Sequence, residues 1–167
     1  MSAIDPYTDV CIRSGNLHAP LDQQAVLELL NLYASRLPGR MRELPTDVTD
    51  QLIPALSNRS GSHLFLAETS KRIVGLALCF DGFSTFRASP LLNLHDLTVH
   101  PQFQRQGIGD KLLLAVIHFA RQANYCAVTL EVMADNPARR LYARHGFESL
   151  QGECAGHLTL FGKLELC

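Results

Sequence analysis

Apolar residues recur along this chain at two spacings, and the switches between them outline an order of elements. Val10 to Ser14 can form a short first strand. Val26, Leu29, Leu30, Tyr33 and Leu37 then recur at helical spacing and predict a helix over Asp22 to Arg36, stopped by Pro38-Gly39. Thr46 or Asp47 can cap a second helix reaching about Asn58, with a kink or break expected at Pro54. His63 to Glu68 and Ile73 to Phe80 read as strands joined by a turn near Ser70 to Arg72. The second is nearly all apolar, which predicts a central place in a sheet. Phe83 to Phe86 can extend it past Asp81-Gly82, and Pro90 is expected to separate it from the next strand, Leu91 to Val99.

The second half repeats the alternation. Ile108, Leu112, Val116, Phe119, Ala120 and Ala123 share one helix face, while Lys111, His118, Arg121 and Gln122 lie largely off it. Ala127 to Met133 is another apolar strand. Asn136 is expected to cap a helix with Pro137 at its first position, where a missing amide does no harm, and Gly146 to end it. Phe147 to Leu150 and His157 to Leu164 can close a hairpin. The order β-α-α-β-β-β-α-β-α-β-β predicts an α/β fold with a mixed sheet in one domain over residues 1–167.

Composition narrows the function. A net charge of −1 supplies no basic excess for a nucleic-acid partner. Leu112 to Ile117, six residues, is far below membrane-spanning length, so no membrane partner is expected. The N-terminus lacks a basic segment followed by an apolar one, and the five cysteines are odd in number and scattered; a reduced, cytoplasmic setting is the expectation. Cys154 and His157 have a metal-like spacing, but no second pair completes a site, so no metal is expected.

The chemistry centres on Gln104-Arg105-Gln106-Gly107-Ile108-Gly109. These residues stand at a strand-to-helix crossing, and two glycines there let the backbone approach a bulky anion. Loop and first-turn amides then point at it, and the helix dipole favours its charge. A dinucleotide fingerprint would need a third glycine where Leu112 stands, and a P-loop would need a different spacing followed by Gly-Lys-Ser/Thr. A second motif follows: Asp135-Asn136-Pro137-Ala138-Arg139-Arg140-Leu141-Tyr142, then Gly146-Phe147.

With Leu94 to Pro101, these two motifs resemble the GNAT N-acetyltransferase superfamily over roughly residues 64 to 164. The loop matches the family's Arg/Gln-x-x-Gly-x-Gly/Ala, and the later motif its Asn-x-x-Ala-x-x-Leu-Tyr…Gly-Phe. One spacing departs: Asn136 to Ala138 is one residue shorter than the family's, so Asp135 or Asn136 fills the asparagine role. The resemblance implies a largely antiparallel central sheet, helices on both faces and a splay between the fourth and fifth strands. It implies acetyl-CoA as co-substrate, with Gln104, Arg105, Gln106, Gly107, Ile108, Gly109 and Asp110 at its pyrophosphate, Asp110 turning its own side chain away. It further implies that Leu97, Thr98 and Val99 meet pantetheine through backbone atoms, the Val99 amide binding the thioester oxygen, with Asn136 and Tyr142 completing the coenzyme site.

Tyr142, a phenol with an ordinary pKa of about 10, would protonate the leaving thiolate. Asp96 and His95 are the nearest candidates for the base that takes the amine proton. On a regular strand they would face opposite ways, leaving at most one in the cleft. A small primary amine, such as a polyamine or amino acid, is the expected acceptor. Protein N-terminal or lysine acetylation and a non-catalytic acyl-CoA sensor are the alternatives. Dimers are common in the family, which makes a homodimer an expectation of the resemblance.

Overall fold

A computed structural model describes residues 10–36, 43–154 and 157–166. Pro38-Gly39 and the first nine residues lie outside them. Seven strands form one sheet: β1 (Cys11–Ser14), β2 (Ser62–Glu68), β3 (Ile73–Ser84), β4 (Ser89–Val99), β5 (Ala127–Met133), β6 (Glu148–Cys154) and β7 (His157–Glu165), in the order β1-β2-β3-β4-β5-β7-β6. All neighbours are antiparallel except β4 and β5. That parallel pair requires a crossover, which α3 (Ile108–Gln122) supplies.

Each face of the sheet has its own core. On one, Leu112, Leu113, Val116 and Ala120 of α3 are buried against Val74, Ala77, Leu92, Val128 and Leu130. On the other, Leu64, Leu66, Leu76 and Leu78 meet Val26, Leu29 and Leu30 of α1 (Pro20–Ala34) and Ile53 and Leu56 of α2 (Thr46–Ser57). The helical spacing expected of α1 and α3 fills these cores, except that Ala123 lies just past α3 and is exposed and Leu37 lies outside the described residues. The stripe on α3 is wider than expected, because Leu113 and Ile117 are buried too. No helix among the described residues is long and apolar enough to cross a membrane.

Three boundaries differ from expectation. α2 runs on through Pro54, whose ring leaves the chain helical and whose carbonyl accepts the Asn58 amide. Pro90 does not separate strands: β3 continues through Asp81-Gly82 to Ser84, and Pro90 pairs with Phe83 inside β4. A proline near a strand start gives up little, and its carbonyl accepts the Cys126 amide at 2.8 Å. The helix after β5, α4 (Arg139–Arg144), starts three residues beyond Asn136. Tight bonds from Arg139 to Asn136 O, Arg140 to Pro137 O and Leu141 to Ala138 O wind the intervening turn first.

Candidate active site

The site is built where the sheet comes apart. β4 pairs with β5 only at Leu92, Asn93 and Leu94, against Val128, Thr129 and Leu130. Beyond this point β4 keeps β3 and β5 keeps β7, so a gap opens between them. The separation begins at a bulge. Leu78 pairs with Asp96 and Cys79 with Leu94, so His95 is the extra residue. Leu94 and Leu97 consequently join the same core cluster although three residues apart. His95 and Asp96 between them share the opposite face, not opposite faces as a regular strand would have it. The extra residue resets the alternation. His95 is exposed and lays its ring on Phe80, centroids 5.3 Å apart. Asp96 is partly buried, and that burial pushes its carboxyl above the usual carboxylate range while the His95 charge opposes the rise.

Backbone direction follows from one bond. The His100 amide donates to Val74 O at 2.8 Å, so by alternation Thr98 also faces β3, and Leu97 and Val99 face the gap. The Val99 carbonyl takes a 2.9 Å bond from the Gln104 side chain, which agrees. Of the three residues expected to offer backbone groups, Leu97 and Val99 therefore present theirs to the opening, and Thr98 is turned into the ladder.

A 3-10 turn (Pro101–Phe103) leads from β4 to the glycine loop. Arg105 and Gly107 both take left-handed backbone, at φ 65° and 78°, and Gly107 is the residue from which α3 starts. Lys111 is the first residue whose amide bonds back into the helix, to Gly107 O at 3.1 Å. The amides of Ile108, Gly109 and Asp110 thus face outward at the positive end of the dipole. Among the described residues, a Cβ on Gly107 would meet no atom within 4 Å, so they leave the space in front of the loop open.

α4 brings Tyr142 to this site. Phe147 donates to Tyr142 O and Gly146 to Ala143 O, a C-terminal cap that needs the left-handed Gly146, φ 83°. The Tyr142 ring packs on Phe147, centroids 5.8 Å apart, and against the α3-side core. Burial raises the Tyr142 phenol above its ordinary pKa, and the nearby Tyr33 and Asp96 raise it further. Tyr33 and Asp96 are therefore each within electrostatic reach of Tyr142. Asn136 spends its side-chain oxygen on the Ala138 amide, 2.9 Å away, shaping the turn into α4.

Two features were missed from sequence. Tyr33, near the end of α1, belongs by its spacing to an apolar stripe. Its hydroxyl, the one polar tip in that stripe, was the available signal. The second is an ion cluster at Asp110. Its carboxylate takes Arg144 Nη2 at 2.9 and 3.1 Å, and lies 2.8 Å from His145 Nε2. The bond to His145 and the Arg144 charge hold this carboxyl below its usual range. The Asp110 side chain thus serves α4.

Outward helical amides, an open approach over a left-handed glycine and a gap toward which Leu97 and Val99 turn their backbone groups together fit a long, phosphate-bearing coenzyme. Comparison with known proteins agrees. Residues 26–147 match the Acetyltransferase (GNAT) family. The chain belongs to that family, whose enzymes take acetyl-CoA as co-substrate. Among its relatives is an uncharacterized N-acetyltransferase of Archaeoglobus fulgidus, 33% identical over 53% of this chain; the match spans 61% of that relative's length. Another is the uncharacterized N-acetyltransferase YhfO of Bacillus subtilis, 28% identical over 78% of this chain and 87% of its own. The structure of yncA, a putative acetyltransferase of Salmonella typhimurium solved with acetyl-CoA, is similar at a TM-score of 0.73 and 25% identity, over 95% of this chain and 94% of that one.

Proposed function

We propose that this protein transfers an acetyl group from acetyl-CoA to the primary amine of a small molecule. The observation that supports the reading is that Asp96, on the stretch of β4 that has left β5, has a carboxyl made more basic by burial and lies within electrostatic reach of Tyr142. Acetyl-CoA supplies the acyl group as a thioester. The outward amides of Ile108, Gly109 and Asp110 hold its pyrophosphate, and Leu97 and Val99 bond its pantetheine arm as a missing strand would. The Val99 amide polarises the thioester carbonyl.

An amine arrives protonated at neutral pH and must lose that proton before it attacks. Asp96, made more basic by burial, is the acceptor for it, directly or through water. His95 shares the face and tempers the Asp96 charge. On collapse of the tetrahedral adduct the thiolate needs a proton. Tyr142, a phenol protonated at neutral pH, gives it and takes back the second proton that the nitrogen sheds as the amide forms. The bulge supports this assignment, because it brings His95 and Asp96 together to the face away from α3.

Thiol release measured over a panel of diamines, amino acids, aminoglycosides and short peptides with free N-termini tests the reading. Turnover on small amines is expected. Turnover confined to peptides would move the function to protein acetylation, and coenzyme binding with no thiol release on any amine would make the protein a sensor.

A further inference from the structure

We propose that Asp110 is a positioning residue: its carboxylate straps the end of α4 to the first turn of α3 and so fixes Tyr142 relative to the coenzyme loop. The proposal rests on the reading of Tyr142 as proton donor.

α4 has six residues, too few to stand as an isolated helix. Its position comes from what grips it. Tyr142 packs on Phe147, and Leu141 reaches Gly109, its Cδ2 lying 3.4 Å from where a Cβ on that glycine would be. Neither contact is directional. Arg139 bonds Ala134 O at the start of the helix, and Asp110 adds the directional contact to α3 at its end. Arg144 Nη2 bonds both of its oxygens, and His145 Nε2 approaches the oxygen Oδ1. Arg144 and His145 stand two and three residues after Tyr142, within the same turn. A carboxylate holding both therefore sets the height and rotation of that turn over α3.

The charges explain the choice of residue. A bare carboxylate in the first turn of α3 would repel a pyrophosphate resting on the amides beside it. The Arg144 guanidinium offsets that charge locally and His145 bonds the same carboxylate, so Asp110 brings α4 to the loop at little electrostatic cost to the coenzyme. Its effect should appear in the chemical step, where displacement of a catalytic group by about 1 Å is enough to slow a reaction up to roughly a hundredfold.

The test is Asp110→Asn, made alone and with Tyr142→Phe, with kcat and acetyl-CoA Kd measured for each. The single variant is expected to lose about tenfold in kcat, with Kd unchanged or tighter, and Asp110→Glu to recover most of the loss. With Tyr142→Phe already present, Asp110→Asn should slow turnover less than about twofold further, because the group it positions is gone. Should Asp110→Asn fail to fold, Arg144→Gln removes two of the three bonds and is read on kcat alone, with the same loss expected and the same dependence on Tyr142, because the carboxylate it bares weakens coenzyme binding by itself. The proposal is overturned by weaker coenzyme binding at intact kcat, which would make Asp110 part of the coenzyme grip. A full tenfold loss on the Tyr142→Phe background also overturns it. A silent Asp110→Asn beside an impaired Tyr142→Phe refutes the strap alone, whereas a silent Tyr142→Phe refutes the proton donor.

Discussion

Gly107 separates two effects that a glycine substitution usually mixes, backbone strain and occlusion. Its φ of 78° lies where an L side chain costs about 1–2 kcal/mol, more for a β-branched one. Among the described residues nothing lies within 4 Å of the Cβ it lacks, so a side chain adds no clash with them. Gly107→Val should therefore fold but melt lower, by about 2–8 °C for a chain of this size. Gly107→Asn should melt nearly as the parent, because asparagine tolerates left-handed backbone. Both put a side chain into the open space over the outward amides of Ile108 and Gly109. Forfeiting even one charge-assisted bond to the pyrophosphate is worth about 1.5–3 kcal/mol, or roughly ten- to 150-fold in Kd. Calorimetric titration with acetyl-CoA, beside thermal melts, reads both effects. A Gly107→Asn protein that binds acetyl-CoA as tightly as the parent would refute the argument, since it would show that no phosphate approaches this backbone.

Tyr142→Phe keeps the ring on Phe147 and removes the proton; turnover should fall ten- to a thousandfold, about 1.4–4 kcal/mol, with coenzyme affinity unchanged, as read by single-turnover kinetics. Asp96→Asn should abolish the acid limb of the pH–rate profile, which in the parent lies above the ordinary carboxylate range because burial raises this group. The same substitution should stabilise the fold at neutral pH. A carboxyl with a raised folded pKa binds protons more tightly when folded, so its ionisation weakens the parent as pH rises through the window from the ordinary value to the raised one; melts at several pH values check this. Asp22 has the opposite sign. Buried in α1, it takes two bonds from Arg13 at 2.8 and 2.9 Å and one from the Asn16 amide at 2.7 Å, and these lower its pKa. Its contribution is present above the ordinary carboxylate pKa and lost as pH falls through the lowered one, and Asp22→Asn should cost about 2 kcal/mol in denaturant unfolding at pH 7.

The glycine loop and the Leu141-Tyr142…Gly146-Phe147 motif were legible because local backbone demands specify them. Gly107 and Gly146 both occupy left-handed positions, and such needs leave a mark in the sequence. The bulge was legible in principle. Leu92, Leu94, Leu97 and Val99 are spaced by two, three and two, and the slip falls on His95 and Asp96. Reading the segment as a regular strand hid it. The Asp110 cluster was not legible at all. Arg144 and His145 lie thirty-four and thirty-five positions away along the chain, and nothing local at Asp110 announces partners at that distance.

What the chain alone determined is therefore what short-range physics controls: the period of each element, its caps, and the helix start with its outward amides. The tertiary structure decided how those pieces meet. Parallel pairing of β4 with β5 stops after Leu94 because β4 stays with β3 and β5 with β7. That competition between neighbours opens the gap, turns Leu97 and Val99 toward it and brings Asp96 within reach of Tyr142. Proton affinities at the site follow from the same packing, since burial of a carboxyl or phenol is a property of everything around it and of no single residue.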